Sequence, residues 1–138
     1  MTQLAETHED PLLRAFGVTP IAEPDDDVLG YLDPTVLAHG GGEEPFVQGG
    51  VLGTCVEVFG YRAVELAADR KGFVGAEWWP VSFQVDLLRV AAAQRYVIRG
   101  TAERIGRRHA FARVEIVPAD GGAAVAAGTV LLINSANS

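Results

Sequence analysis

Cysteine is nearly absent: Cys55 is the single one in 138 residues. One thiol supports neither an internal disulfide framework nor a multi-cysteine zinc site. No stretch approaches the roughly 20 consecutive apolar residues that a membrane-spanning helix needs. The opening residues, Met1 to Glu6, hold no basic region followed by an apolar run, so no secretory signal is expected. Together these absences point to the cytoplasm. Bases are scarce at first: ten of the eighteen acids precede residue 45, against Arg14 as the only base. The formal net charge of -7 argues against general nucleic-acid binding. From residue 45 onward the balance is eight acids to ten bases, slightly basic, which matters for a ligand that carries phosphates. No internal repeat and no low-complexity tract is present.

The apolar fraction of 49% is enough for a core, and the length fits one domain, expected over residues 10–138 behind a disordered polar segment at 1–9. Asp10 to Gly17 reads as a short helix with Asp10 as cap, Pro11 in its first position and Gly17 at its end. Val18 to Ala22 and Val28 to Leu32 read as short strands around a turn at Asp25-Asp26-Asp27. Pro34 to Pro45, with Gly40-Gly41-Gly42, reads as a mobile loop. Gly49 to Asp69 carries the strongest helical pattern, stopped by Arg70-Lys71-Gly72. Leu52, Val56, Phe59 and Ala63 make its apolar stripe, widened by Val51, Cys55 and Val58, so the helix is expected to be buried. Gly53, Thr54, Glu57, Gly60 and Tyr61 share the remaining face. Strands are expected at Val81–Val90, Arg95–Arg104, Arg108–Val117 and Ala123–Ile133, the last with both faces covered. One helix can cover so many antiparallel strands only if the sheet curls around it. That arrangement, one long central helix wrapped by a curved antiparallel sheet of about five or six strands, is an α+β hotdog fold.

The residues also resemble a known family, the phenylacetate-type hotdog acyl-CoA thioesterases. In that family a His-Gly-Gly opens the helix and an acid follows nine residues after the His. Here Gln48-Gly49-Gly50 stands at the helix start, and Glu57 lies nine residues after Gln48. Val85-Asp86-Leu87-Leu88-Arg89-Val90-Ala91 is similar to the family strand ending in Leu-Arg-Pro-Ala. Ile105-Gly106-Arg107-Arg108 resembles its turn between long strands, and Gly128-Thr129 its small-residue pair. Gln48 replaces the His and Val90 the Pro. Trp79 and Pro80 occupy the region of a family Ser or Thr, with Ser82 close but out of register.

The resemblance implies acyl-CoA thioester hydrolysis. Gly50, with Gly49 or Val51, would offer free backbone N–H groups at a helix N-terminus to the carbonyl oxygen. Glu57 would be general base or nucleophile, and Gln48 would position water or the thioester. Arg107 and Arg108, with Arg89 as a further candidate, would bind coenzyme A phosphates. Against these stand plainer readings: a tight turn at Gly49-Gly50, a helix-cap role for Gln48, and solvated surface arginines. Glu65 reads as a solvated helix glutamate, Cys55 as an inert core thiol, His109 as a strand-face residue and His39 as a loop residue. Trp78-Trp79 lines either an acyl pocket or a subunit interface. No metal or bound cofactor is implied, coenzyme A being part of the substrate. The expected assembly is a homodimer or homotetramer, with neither nucleic acid nor membrane as partner. Two alternatives stay open. In a hotdog β-hydroxyacyl dehydratase or hydratase, His39 and Gly50-Val51-Leu52 would be the matching features, but Cys55 stands where that chemistry wants an acid. The other is a non-catalytic acyl-CoA-binding hotdog domain.

Overall fold

The computed structural model describes residues 10–40 and 44–137. The segment 1–9 and the part of the glycine loop at 41–43 lie outside the described residues. The element order is α1 (Pro11–Phe16), β1 (Val18–Pro20), β2 (Val28–Leu32), α2 (Gly49–Lys71), β3 (Trp78–Leu87), β4 (Tyr96–Ile105), β5 (His109–Pro118) and β6 (Ala126–Asn134), closed by a 3₁₀ turn at Ser135–Asn137. The first helix forms as its sequence indicates: the Asp10 carboxylate accepts from the Leu12 N–H at 2.8 Å and the Leu13 N–H at 3.3 Å, and Gly17 ends it at φ 83°.

All strands join one antiparallel sheet in the order β1-β2-β4-β5-β6-β3. The sheet curls around α2, which packs against β2 through β6. Leu52, Val56, Phe59 and Ala63 face this sheet, with Cys55 fully enclosed beside them. The helix comes close because two contacts are small. A side chain at Gly60 would place its Cβ 2.4 Å from Val130 Cγ2, and one at Gly128 would lie 2.7 Å from Val56 Cγ1. Gly60 therefore belongs to the sheet-facing side and not, as its sequence position implied, to the face that carries Glu57.

Strand limits differ from the alternation pattern at identifiable places. β3 starts at Trp78, three residues before Val81, because Trp78 and Trp79 pair with Asn134 and Ile133. Pro80 is tolerated there because β3 is an edge strand, and the register slips between Pro80 and Ser82. β6 starts at Ala126 and not at Ala123, because Gly121 and Gly122, at φ 101° and 117°, lead into a wider turn. Both faces of β6 are largely covered, as its composition indicated.

The helix start is fixed from outside. Ala38 and Phe46 exchange backbone hydrogen bonds of 2.8 and 3.0 Å, and the Val47 N–H donates to the Ala91 carbonyl at 2.8 Å. The two ends of the glycine loop are thus tied to each other and to the segment after β3, immediately before Gln48.

Candidate active site

α2 begins at Gly49 with Gln48 as cap residue, and the Gln48 side chain makes no capping bond. The Val51 and Leu52 N–H groups donate to the Gln48 carbonyl at 3.0 and 3.3 Å. Val51 N–H is therefore already engaged, and its side chain belongs to the core. The Gly49 and Gly50 N–H groups have no acceptor among the described residues, and Gly50 is exposed. They are the free donors of this helix, at the positive end of its dipole. Leu87, at the end of β3, packs on Gly49, where a Cβ would lie 2.7 Å from Leu87 Cδ1.

Glu57 is half-buried two turns further along. It opens onto a cavity of about 980 Å³ between the free face of α2 and the start of β3. Thr54, Val58 and Tyr61 line it beside Glu57, and Phe73, Trp78 and Trp79 close its far side. Thr54 Oγ1 donates to the Gly50 carbonyl at 2.9 Å, which ties the cavity wall to the first helical turn. Glu57, Tyr61, Glu65 and Asp69 follow one another at intervals of four, so they form one stripe on the helix, all of it on the cavity.

Glu65 corrects the sequence reading. It is 6% exposed, not solvated, and its Oε1 has no hydrogen-bond partner among the described residues. Burial holds its carboxyl above the usual range, and the nearby Tyr61 hydroxyl and Arg62 guanidinium offset only part of that. Tyr61 is in turn pushed up to about 12, by burial first and then by the Glu65 charge. Arg62, 1% exposed, donates from Nη2 to the Ala22 carbonyl at 2.7 Å, while its Nε and Nη1 have no hydrogen-bond partner among the described residues. The four-residue spacing from Glu57 to Asp69 was visible in the sequence, and it is the signal that would have identified Tyr61 and Glu65.

The remaining candidates fall elsewhere. Gln48, Gly49, Gly50 and Val51 are at the helix start, outside the cavity lining. Arg89 follows β3 at the same end of the sheet, where its backbone N–H meets the Val125 carbonyl. Arg107 and Arg108 sit in the β4–β5 turn at the opposite end, beside Asn134. One chain therefore does not gather its three arginines around one phosphate group. Cys55 is fully buried, with its thiol pushed up to about 12 by desolvation, as expected of an inert core residue. His109 is on an exposed strand face and His39 in an exposed loop position. Among the described residues no group of His, Cys, Asp and Glu could hold a metal ion. No helix among them is long and apolar enough to cross a membrane.

No family model matches the sequence, and no curated protein is matched by it. Solved structures are matched along nearly the whole chain. Zebrafish thioesterase superfamily member 2 superposes with a TM-score of 0.70 at 19% identity, over 97% of this chain and 95% of that one. Escherichia coli PaaI, from the phenylacetic acid degradation operon, gives 0.70 at 19% identity, over 96% and 90%. A phenylacetic acid degradation-related protein of Ralstonia eutropha gives 0.65 at 22%, over 90% and 89%. The chain has the hotdog fold. Its structural neighbours are thioesterase-superfamily proteins, including those of phenylacetic acid degradation, as the helix-start resemblance implied. At these identities the likeness establishes the hotdog architecture, and the chemistry rests on the site itself.

Proposed function

We propose that this hotdog protein hydrolyses acyl-CoA thioesters, with Glu57 as the catalytic carboxylate. The observation that carries the proposal is a half-buried carboxylate opening onto a roomy, partly aromatic cavity, on the helix whose first two N–H groups are free. The acyl group lies in the cavity and the thioester carbonyl oxygen meets the Gly50 N–H of a second copy, seconded by Gly49 of that copy. Glu57 takes a proton from water as the water oxygen bonds to the carbonyl carbon. The resulting oxyanion is held by the glycine N–H groups, and one such donor is typically worth about 3 kcal/mol of barrier. Collapse breaks the C–S bond, and the proton held by Glu57 passes to the departing coenzyme A sulfur. Gln48, exposed at the helix start, is placed to orient the water or the thioester. No cofactor takes part.

A second copy completes the site. β3 is a ten-residue edge strand, and it carries exposed Trp79, Val81, Phe83 and Leu87. A long apolar edge of this kind is a liability unless covered. A second β3, paired antiparallel across a two-fold axis, covers it with an identical surface. α2 runs alongside β3 in the opposite direction, with Gly49 against Leu87 and the cavity at Trp78 and Trp79. Pairing two β3 strands head to tail then sets the free helix N-terminus of one copy beside the cavity of the other. It also moves the Arg107–Arg108 turn of one copy to the end where the other holds Arg89. The dimer, or a tetramer built from it, thus gathers groups that one chain keeps apart. Since Cys55 is buried and sits where a dehydratase needs an acid, nothing in the site favours that chemistry.

The test is hydrolysis of aryl- and alkyl-CoA esters, followed by thiol release, with Glu57→Gln beside the wild type. The variant is expected to fold normally, keep its substrate affinity and lose at least ~100-fold in kcat. Full activity in the variant would remove Glu57 from the mechanism. A monomer by light scattering at micromolar concentration would remove the two-copy site.

A further inference from the structure

We propose that Thr54 holds the attacking water beside Glu57, accepting a hydrogen bond from the O–H that Glu57 does not take. The inference rests on the reading of Glu57 as the base of a thioesterase and adds a second side chain to its chemistry. Three observations carry it. The first is place: Thr54 and Glu57 are both half-buried, both line the cavity, and stand three residues apart on α2. Side chains at that spacing are neighbours, with Cβ atoms about 5–6 Å apart, a distance that one water bridges. The second is the hydroxyl proton. Thr54 Oγ1 donates to the Gly50 carbonyl at 2.9 Å, and a carbonyl can only accept, so this bond uses the one proton that the hydroxyl has. Oγ1 therefore offers the cavity lone pairs alone. The third is the lack of a rival. Within one helical turn of Glu57 on α2, Tyr61 is the other polar side chain of the described cavity lining, and its hydroxyl is hydrogen-bonded to the Glu65 carboxyl. Val58, next to Glu57, is apolar.

Water attacks through an oxygen lone pair, so both of its O–H groups must point away from the carbonyl carbon. Glu57 takes one of them as base. Beside Val58 and the aromatic rings of the cavity the other needs an acceptor, because a polar hydrogen left without one costs free energy. A hydroxyl that donated there would compete for the lone pair that attacks. One whose proton is already committed leaves that lone pair free. As the water oxygen bonds to the carbonyl carbon, one proton passes to Glu57 and the other stays on that oxygen, hydrogen-bonded to Thr54. The C–S bond then breaks, the Glu57 proton goes to the sulfur, and the products are the free acid and the thiol. Thr54 keeps its own proton throughout. Gln48, outside the cavity lining, is left to the thioester.

The experiment compares the wild type with Thr54→Val, which keeps the branched shape and removes the hydroxyl, and with Thr54→Ser, which keeps the hydroxyl. The substrates are hexanoyl-CoA and benzoyl-CoA. Thr54→Val is expected to lose ~10–100-fold in kcat with KM changed by less than ~2-fold, the scale on which a misplaced reactant slows a step. Thr54→Ser is expected to keep kcat within ~3-fold. Binding of S-(2-oxoheptyl)-CoA, in which a methylene separates the sulfur from the carbonyl, is measured by calorimetry. This ketone offers the same carbonyl oxygen and cannot be hydrolysed, so its Kd is expected to stay within ~2-fold in every variant. A Thr54→Val with full kcat, or a Thr54→Ser as slow as Thr54→Val, overturns the proposal. So does a Thr54→Val that loses ketone affinity as far as it loses kcat, since Thr54 would then act only by fixing the Gly50 turn. Should Thr54→Val fail to fold, Thr54→Ala must show the same loss of kcat at unchanged ketone affinity, and full activity in it overturns the proposal equally. Turnover by the wild type and Thr54→Val alike sinks the water site and leaves the thioesterase standing. No turnover of either ester by the wild type sinks the thioesterase, and the water site with it.

Discussion

Gly60→Ala asks directly how α2 sits in the sheet. In isolation the change helps a helix, because alanine is better than glycine in a helix interior by about 1 kcal/mol. If Gly60 shared the free face with Glu57, as its position in the sequence implied, that gain would appear as added stability. The structure predicts the reverse. The new Cβ would lie 2.4 Å from Val130 Cγ2 and 2.9 Å from Val130 Cβ, well inside contact distance, and Val130 is fully buried on β6. Either Val130 leaves its rotamer or the helix lifts from the sheet. Overpacking of this kind typically costs 1–3 kcal/mol, occasionally more. A contact of 2.4 Å puts the cost in the upper half of that range, so net of the propensity gain Gly60→Ala is expected to destabilise by about 1–2 kcal/mol. Val130→Ala alone opens a void and also destabilises. The double variant relieves the clash, so the two losses should not add, and the coupling is expected to be at least about 1 kcal/mol. Urea unfolding of the four proteins at one concentration, followed by tryptophan fluorescence, reads all of this. A stabilised Gly60→Ala, or strict additivity with Val130→Ala, would refute the helix-on-sheet contact that orients Glu57 toward the cavity.

Other parts of the structure yield further expectations. Asn134 is buried at the sheet end, where its Oδ1 accepts from the Glu77 and Ala136 N–H groups and its Nδ2 donates to the Arg107 carbonyl. Asn134→Ala removes all three hydrogen bonds and is expected to cost about 2–4 kcal/mol in chemical denaturation, since each contributes about 0.5–1.5 kcal/mol net. Glu65, its carboxyl raised by burial, binds its proton more tightly in the folded chain than in the unfolded one. Its contribution is therefore fully present below the unfolded value of about 4.3 and is lost as pH rises through the folded value. Glu65→Gln, which leaves Tyr61, Arg62 and Asp69 in place, should flatten that fall, and a wild type that gains stability relative to the variant between pH 4 and 7 would contradict it. Replacing Arg107 and Arg108 together should raise KM for CoA esters by about 3–30-fold and leave KM for esters without the nucleotide unchanged. Equal effects on both substrates would take the turn out of the phosphate site.

Much of the fold was legible because its signals are local. The Asp10 cap, the Gly17 terminus, the 23-residue helix and the four long strands follow from spacing and turn residues within each segment. Strand ends were less legible because pairing decides them. Trp78-Trp79-Pro80 joins β3 only through its partners Asn134, Ile133 and Leu132, more than fifty residues away. The faces of α2 were misread at two positions for one reason. A helix wrapped by a curled sheet is covered over most of its girth, so side chains beyond the apolar stripe are also buried. Gly60 is pressed against β6 and Glu65 is enclosed above the cavity, although composition alone places a glycine and a glutamate on an open side. At the candidate site, Glu57 was singled out by the family resemblance, nine residues after Gln48, whereas the cavity it opens onto needs β3 to be folded beside it.

The distribution of charge connects these observations. Among the described residues, the carboxylates that line the cavity come, apart from Asp10, from α2 and the segment leading into β3. The three arginines proposed for the phosphates lie instead at the two ends of the sheet, Arg89 at one and Arg107 and Arg108 at the other. On the proposed reading an anionic carrier is drawn to the rim and repelled by the carboxylates of the interior. Only one of those carboxylates is needed for hydrolysis. The same helix that carries Glu57 carries Glu65 about 12 Å further along its axis, enclosed beside Tyr61 and Arg62 where burial holds its carboxyl above the usual range, so of the two it is the half-buried Glu57 that is placed to meet water in the proposed hydrolysis.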